Sequence, residues 1–481
     1  MSWRPRHTAR FWLAALLAAA ASAAAARALP ADVAAALERA KLPRDALVAV
    51  VQEVGSERNR LTWQADRPVN PASLMKLLTT GAALDLLGPA WTWSTPVWLD
   101  GSVDPVQGVL HGNLVIQGSG DPKLVLERVW MMLRRVQQLG VREIRGDIVL
   151  DRSAFPIAER HPGDFDGEPL RPQNVQPDAL LLNQRSVILT FTPDTQRGVA
   201  IVSADAPLAG IQVDATVPLA AGACDDWRAA LKAELADPAR MRFAGAYPTT
   251  CGERQWPLAH AEPKRYNERL LLGLWREMGG SVSGVVRDGR APLGPPSFTL
   301  TSPTLAEVVR DINKYSNNVM AQQLFLTLAF VQRGSGTPEV AREVVSQWAA
   351  ERFGEADTRT LHIDNGSGLS RDARVSAQLL ARVLQAAWAS PVMPELVSSL
   401  PVIGVDGTMR RTKTLLGRAH LKSGSLRDVA AVAGVVLSER GRRYVVVAIL
   451  NHPNAGAARP ALEALVQWVA ADGRTERSTL D

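Results

Sequence analysis

Two apolar runs near the C-terminus, 429–438 and 443–450, flank the charged loop Glu439-Arg440-Gly441-Arg442. Strand-length runs around a short glycine-bearing loop predict a β-hairpin. Two further strand-like runs lie at the opposite end of the chain, 46–52 and 60–65, with Gly55-Ser56 between them. Helical periodicity appears at 31–40, from Ser73 through Leu86, and at 267–278, 304–312, 319–330 and 460–470; Gly88-Pro89 stops the second of these. From about Trp93 the texture changes. Strands are predicted at 95–99, 109–117, 146–150, 187–192 and 199–202, a helix over 123–139 ended by Gly140, and a loop carrying Pro162, Pro169, Pro172 and Pro177. Helices around an antiparallel sheet whose strands come from both chain ends predict an α+β core interrupted by a β-rich insertion. The expected boundaries are 29–92 and 293–481 for the core and 93–292 for the insertion, itself expected to hold two subdomains.

Composition narrows the function classes. With 46% hydrophobic and 21% charged residues, and with 36 Gly and 31 Pro dispersed along 481 positions, the chain is neither disordered nor collagen-like. A net charge of +6 and a sequence pI near 9.6 would suit a nucleic-acid binder, but no Lys/Arg stripe with interleaved aromatics is present. Part of the charge precedes an apolar stretch: Arg4, Arg6 and Arg10 lead into Phe11-Trp12-Leu13-Ala14-Ala15-Leu16-Leu17 and alanines reaching Ala26. Basic residues, a short apolar core and small residues at Ala24-Ala25-Ala26, or at Ala26 and Ala28 around Arg27, predict a signal peptide over 1–28, cleaved near Ala26 or Ala28. The apolar run is too short for a membrane span of about 20 residues. The expectation is an exported, periplasmic protein with no transmembrane segment after cleavage. Removal through Ala28 takes four arginines and no acid, lowering the net charge to +2.

The two cysteines, Cys224 and Cys251, suit an oxidising compartment, where they are expected to form one bridge contributing about 3.5 kcal/mol by loop closure. The seven histidines are scattered, with no HExxH and no CxxC. No metal and no cofactor are expected.

Chemistry-bearing residues fall in three short patterns. Ser73-Leu74-Met75-Lys76 opens a helix, where residues three apart lie about 5 to 6 Å from each other, so the lysine amine can reach the serine hydroxyl. A serine needs an adjacent base, and a lysine serves only when neutral; burial and a second cation both favour that. Taken alone, the pattern also fits a helix-capping serine beside a surface lysine. No other of the eight lysines has a serine three residues before it. Ser316-Asn317-Asn318 lies between two helices, and Lys422-Ser423-Gly424-Ser425 on a strand just before the hairpin. A strand glycine permits close approach of another backbone.

Ser-x-x-Lys on a helix, Ser-x-Asn between helices and Lys-Ser/Thr-Gly on a late strand, in that order, resemble the active-site set of the serine penicillin-recognising enzymes. About 240 residues separate the first two motifs. That insertion resembles the class C low-molecular-mass penicillin-binding proteins, the D-alanyl-D-alanine carboxypeptidase/endopeptidases of penicillin-binding protein 4 type, peptidase family S13. Gly118-Ser119-Gly120-Asp121-Pro122, Asp364 to Arg371 and Gly404-Val405-Asp406-Gly407-Thr408 match the same family. The third motif departs from its commoner Lys-Thr-Gly at Ser423, which keeps the hydroxyl and loses a methyl.

The resemblance implies a β-lactamase/DD-peptidase-like domain with a large insertion. It implies a periplasmic enzyme that cleaves D-alanyl bonds of peptidoglycan stem peptides and is covalently inhibited by β-lactams. By the same resemblance Ser73 is the nucleophile, Lys76 its base and Ser316 a proton relay. Asn318, Lys422, Ser423, Gly424 and Ser425 hold the substrate, with the Ser73 and Ser425 N–H groups facing the oxyanion; Arg371 and Asp151 are further substrate contacts. Two other outcomes fit the same motifs: a serine β-lactamase, disfavoured by the insertion, and a non-catalytic wall-binding protein, disfavoured by the intact nucleophile and lysines.

Overall fold

The C-terminal runs form the strands Val429–Leu437 and Arg443–Asn451, paired antiparallel with Ala433 opposite Val447. The computed structural model describes residues 28–472; the signal peptide read over 1–28 lies, apart from Ala28, outside the described residues. The hairpin belongs to a five-stranded sheet ordered Ala419–Leu426, Val429–Leu437, Arg443–Asn451, Leu47–Glu53, Asn59–Trp63. Every neighbouring pair in it is antiparallel.

The inner strands are apolar at almost every position because both faces are covered, which removes the in-out alternation of a half-exposed sheet. The helices Ala31–Arg39 and Arg459–Ala471 bring Val33, Leu37, Leu462, Leu465 and Val469 into one core with Ala49, Val51, Val432 and Val446. The helix Ala377–Trp388 packs on the strands Leu47–Glu53 and Arg443–Asn451 and against the helix Met75–Leu87. Each fully buried Val, Leu or Ile contributes about 1.5 to 3 kcal/mol.

Two compact units divide the chain. Among the described residues the unit just described comprises 28–90, 305–321 and 342–472; the other comprises 91–304 and 322–341. The second unit has its own cores. A seven-stranded mixed sheet, centred on Ser94–Asp104 and Val109–Gln117, packs with the helices Leu126–Gln138 and Pro263–Glu277 around Leu114, Ile116, Leu133, Leu270 and Trp275. A five-stranded sheet built on Ser186–Asp194 carries a smaller aromatic core, in which Phe191 stacks on Tyr247 at 5.6 Å. The expected bridge is present there: Cys224 and Cys251 are bonded. Among the described residues no helix is long and apolar enough to cross a membrane.

Candidate active site

Ser73 sits in a 3-10 turn, Ala72–Leu74, that runs straight into the helix Met75–Leu87. The turn is forced. Ala72 has φ +47°, a left-handed conformation that costs a non-glycine residue of order 1 kcal/mol or more. Surrounding hydrogen bonds hold it there. The Ala72 N–H donates to Asn70 Oδ1 at 2.9 Å, Asn70 Nδ2 donates to the Ser370 carbonyl at 2.8 Å, and Asn70 N–H donates to Asn451 Oδ1 at 2.8 Å.

Two glycines exist to let backbone approach this turn. A Cβ on Gly368, itself at φ +78°, would lie 1.9 Å from the Ala72 carbonyl oxygen, and one on Gly424 would lie 2.8 Å from that of Pro71. The loop Asp364 to Arg371 and the strand Ala419–Leu426 therefore press directly on the serine turn. Glycine at the strand position has the role anticipated from sequence.

Lys76 is fully buried and, among the described residues, has no carboxylate within ion-pair distance. Its Nζ donates to Asn318 Oδ1 at 2.6 Å and to the Ser367 carbonyl at 2.6 Å, and lies 3.1 Å from Ser73 Oγ. The first two partners are acceptors only. A neutral amine has two N–H groups for them and one lone pair left for the Ser73 hydroxyl. Burial, reinforced by the positive charge of Lys422, holds the Lys76 pKa well below the ordinary lysine range.

Lys422 is equally buried, and burial pushes its pKa down to about 7. It donates to Ser316 Oγ at 2.8 Å and to the Ser423 carbonyl at 2.7 Å. Ser316 is held at φ +55°, so the hydroxyl that meets Lys422 also sits on a strained backbone. The Ser423 hydroxyl is 2.7 Å from Thr408 Oγ1. The loop carrying Thr408 is anchored by Asp406, which accepts from Lys314 Nζ at 2.6 Å and from the Val402 N–H at 2.7 Å.

Ser73, Ser316, Thr408, Ser423, Gly424 and Ser425 line one cavity of about 730 Å³. The three motifs thus converge, and hydrogen bonds link Lys76 to both Ser73 and Asn318, and Lys422 to Ser316. Arg371 is exposed and lies outside the lining of that cavity; its carbonyl accepts from Asn70 Nδ2 and from Arg374. Asp151 belongs to the other unit, where its carboxylate accepts from Gln117, Ser153 and Ala291. Burial works against that charge, but these hydrogen bonds outweigh it and keep the pKa below the usual carboxylate value. Sequence reasoning about single residues did not reach Asn70, the Ser367 carbonyl or Thr408, although the last two lie in stretches singled out by resemblance.

The sequence model of the D-Ala-D-Ala carboxypeptidase 3 (S13) family matches residues 29–472. The chain belongs to that family. This S13 chain is 26% identical over 409 residues to the D-alanyl-D-alanine carboxypeptidase DacB of Haemophilus influenzae, covering 80% of the chain and 81% of that protein. It is 28% identical over 416 residues to the D-alanyl-D-alanine carboxypeptidase of Actinomadura sp. (strain R39), covering 82% and 75%. The crystal structure of penicillin binding protein 4 (dacB) from Haemophilus influenzae superposes with a TM-score of 0.71 at 22% identity, over 90% of this chain and 99% of that one. The same Haemophilus protein has also been crystallised with a β-lactam. The S13 assignment and the α+β DD-peptidase fold expected from the motifs are both borne out, and the chain is a DD-peptidase, a hydrolase of D-alanyl bonds.

Proposed function

We propose that this S13 enzyme cleaves peptidoglycan stem peptides in the periplasm through an acyl-enzyme on Ser73. The supporting observation is the donor count at Lys76, whose two acceptor-only partners leave one position, and that position faces Ser73. Ser73 Oγ gives its proton to Lys76 Nζ and attacks the carbonyl carbon of the penultimate D-alanine. The oxyanion is held by the backbone N–H groups of Ser73 and Ser425; losing one such donor typically costs about 10² to 10³ in rate. Lys422 and the Ser423 hydroxyl take the substrate's terminal carboxylate, with Gly424 giving the strand its close seat.

As the C–N bond breaks, Ser316 passes its hydroxyl proton to the leaving nitrogen and is replenished from Lys422. Lys76 then returns to its neutral form by giving up the proton it gained, and Lys422 takes one up. In the second half, water loses a proton to Lys76 and attacks the ester; the proton returns to Ser73 Oγ as the acid leaves. Asn318 keeps the Lys76 amine aimed throughout. β-Lactams enter by the first half of this sequence and stall in the second.

Arg371, exposed at the end of the loop that supplies the Ser367 carbonyl, is kept as a contact to the outer part of the stem peptide. Asp151 is not assigned a substrate contact, because its oxygens are filled by its own neighbours. The basic and apolar segment at 1–28 directs export and is removed.

Release of D-alanine from a pentapeptide, together with covalent labelling by a tagged penicillin, tests the assignment. Ser73→Ala is expected to abolish both. Labelling that persists without Ser73 would place the nucleophile elsewhere, and rapid turnover of a chromogenic cephalosporin would favour a β-lactamase.

A further inference from the structure

Ser423 stands where the third motif more commonly has threonine, and the exchange removes more than the volume of a methyl group. Two heavy substituents on Cβ restrict χ1; a serine carries one, so its hydroxyl turns among the staggered positions. The Ser423 side chain is half-buried on the strand Ala419–Leu426 and lines the cavity in front of Ser73. A hydroxyl proposed to take a carboxylate therefore lacks the covalent restraint that would aim it.

The restraint comes from elsewhere in the chain. Among the described residues the Ser423 hydroxyl makes one hydrogen bond, with Thr408 Oγ1 at 2.7 Å. One hydroxyl can position another only if it is itself held, and Thr408 sits in the 3-10 turn Gly407–Met409, which is fixed from two directions. A Cβ on Gly407, at φ +55°, would lie 2.4 Å from the Lys314 carbonyl oxygen, so the turn rests on the end of the helix Leu305–Tyr315. Asp406 ties the same turn to Lys314 Nζ and to the Val402 N–H. On the other side, the Leu421 N–H donates to the Pro401 carbonyl at 2.8 Å and the Ile403 N–H to the Ala419 carbonyl at 2.9 Å. These two bonds set the segment in register with the strand that carries Ser423.

Proton placement then assigns the roles. A carboxylate only accepts, and each of the two hydroxyls has one proton. When Thr408 donates to Ser423 Oγ, the Ser423 proton is free for the ligand, and a hydroxyl that already accepts is the stronger donor. We infer that Thr408 is a positioning residue, which donates to Ser423 Oγ, fixes its rotamer and aims its proton at the substrate's terminal carboxylate. It does for this chain what the methyl of a threonine would do at position 423. The bond chemistry at Ser73 is unaltered, and the inference rests on the carboxylate contact proposed above.

The test is a double-mutant cycle between positions 408 and 423. It is read as the second-order rate constant for acylation of Ser73 by a tagged penicillin, which bears a carboxylate, and as kcat/KM for D-alanine release from a pentapeptide. Thr408→Val keeps the shape and removes the hydroxyl; it is expected to lower both about tenfold, in the range of a lost hydrogen bond to a charged group. Thr408→Ser, which keeps the hydroxyl, should recover most of that loss. In a Ser423→Thr background the restraint is covalent, so there Thr408→Val should cost less than about threefold, a coupling typical of residues in contact. Thr408 is exposed, so Thr408→Val is expected to melt within a degree or two of wild type. A folding defect would persist in both backgrounds, whereas lost positioning is suppressed in the second.

Equal losses in the two backgrounds would overturn the role of Thr408, as would wild-type rates in Thr408→Val or a Ser423→Thr protein that no longer acylates. Penicillin uptake on Ser73 that is insensitive to Ser423→Ala would overturn the carboxylate contact, and the role of Thr408 with it. Wild-type protein that takes up no penicillin on Ser73 would overturn the Ser73 reading itself.

Discussion

In the inserted unit, the buried cations Arg185 and Arg269 face carboxylates, Asp178 at 2.5 Å and Glu262 at 3.0 Å. In the unit that holds Ser73, Lys76 and Lys422 are buried more completely and face only hydroxyl, amide and carbonyl oxygens. The contrast follows from chemistry. Arginine does not shed its proton inside a protein, so burying it demands a counter-charge. Lysine can shed it, so burial without a partner yields a neutral amine, which is a base. Lys314 shows that the environment decides and not the residue type, since it is buried in the same unit and paired with Asp406 at 2.6 Å.

The comparison breaks most sharply at Lys76. Lys76→Met is expected to slow penicillin acylation by about 10³ to 10⁴, in the range of a lost general base, while raising the melting temperature, because a strongly disfavoured buried amine is removed. A slower enzyme that also melts lower would show that Lys76 is structural. Arg185→Met should do the reverse. It destabilises the protein by about 2 to 3 kcal/mol in denaturant unfolding, less than for a fully orphaned partner, because Asp178 keeps Arg152 at 2.8 Å.

Lys422 sharpens the comparison through pH. With a pKa near 7, its charge is present below that value and lost above it, so kcat/KM for a carboxylate-bearing peptide should fall about tenfold per unit above pH 7. Lys422→Arg stays charged and should flatten that alkaline limb at a lower absolute rate. Stability has its own sign. The unfolded chain protonates this lysine near 10.5, so as pH falls from there towards 7 the unfolded state binds more protons and the fold loses stability; below 7 the loss is complete.

The smallest effect concerns an exception in the inserted unit. Asp121 is fully buried, its Oδ1 accepts from the Lys123 N–H at 2.7 Å, and burial raises its pKa to about 6. Asp121→Asn should stabilise the protein by about 1 to 2 kcal/mol at pH 7. Thermal unfolding at pH 5 should show a smaller gain, because the carboxyl is then largely neutral in the native state.

Much of the fold is legible in the sequence itself. The hairpin, the N-terminal strands and the long helices carry apolar periods that span several turns or pairs, and the three motifs have fixed internal spacing. What escaped has a physical reason. Strands such as Gln212–Val213 and Ala233–Glu234 are two residues long and leave no period to detect. Asn70 acts through backbone contacts to a turn, and Ser367 through its carbonyl, which every residue possesses. Thr408 matters because of a contact across fifteen positions. Whether Cys224 and Cys251 pair also depended on space and not on spacing.

The strand Leu47–Glu53 lies between Asn59–Trp63, its neighbour in sequence, and Arg443–Asn451, whose register places Val50 opposite Val447. Roughly 390 residues must be made before that second partner exists. At a synthesis rate of about 5 to 20 residues per second, the first strand waits on the order of 20 to 80 s for the last. Lys422 emerges in that same final stretch. The site as proposed therefore cannot assemble until the residues about 350 positions beyond Ser73 have been made, and a polypeptide cut short before them carries Ser73 and Lys76 without Lys422.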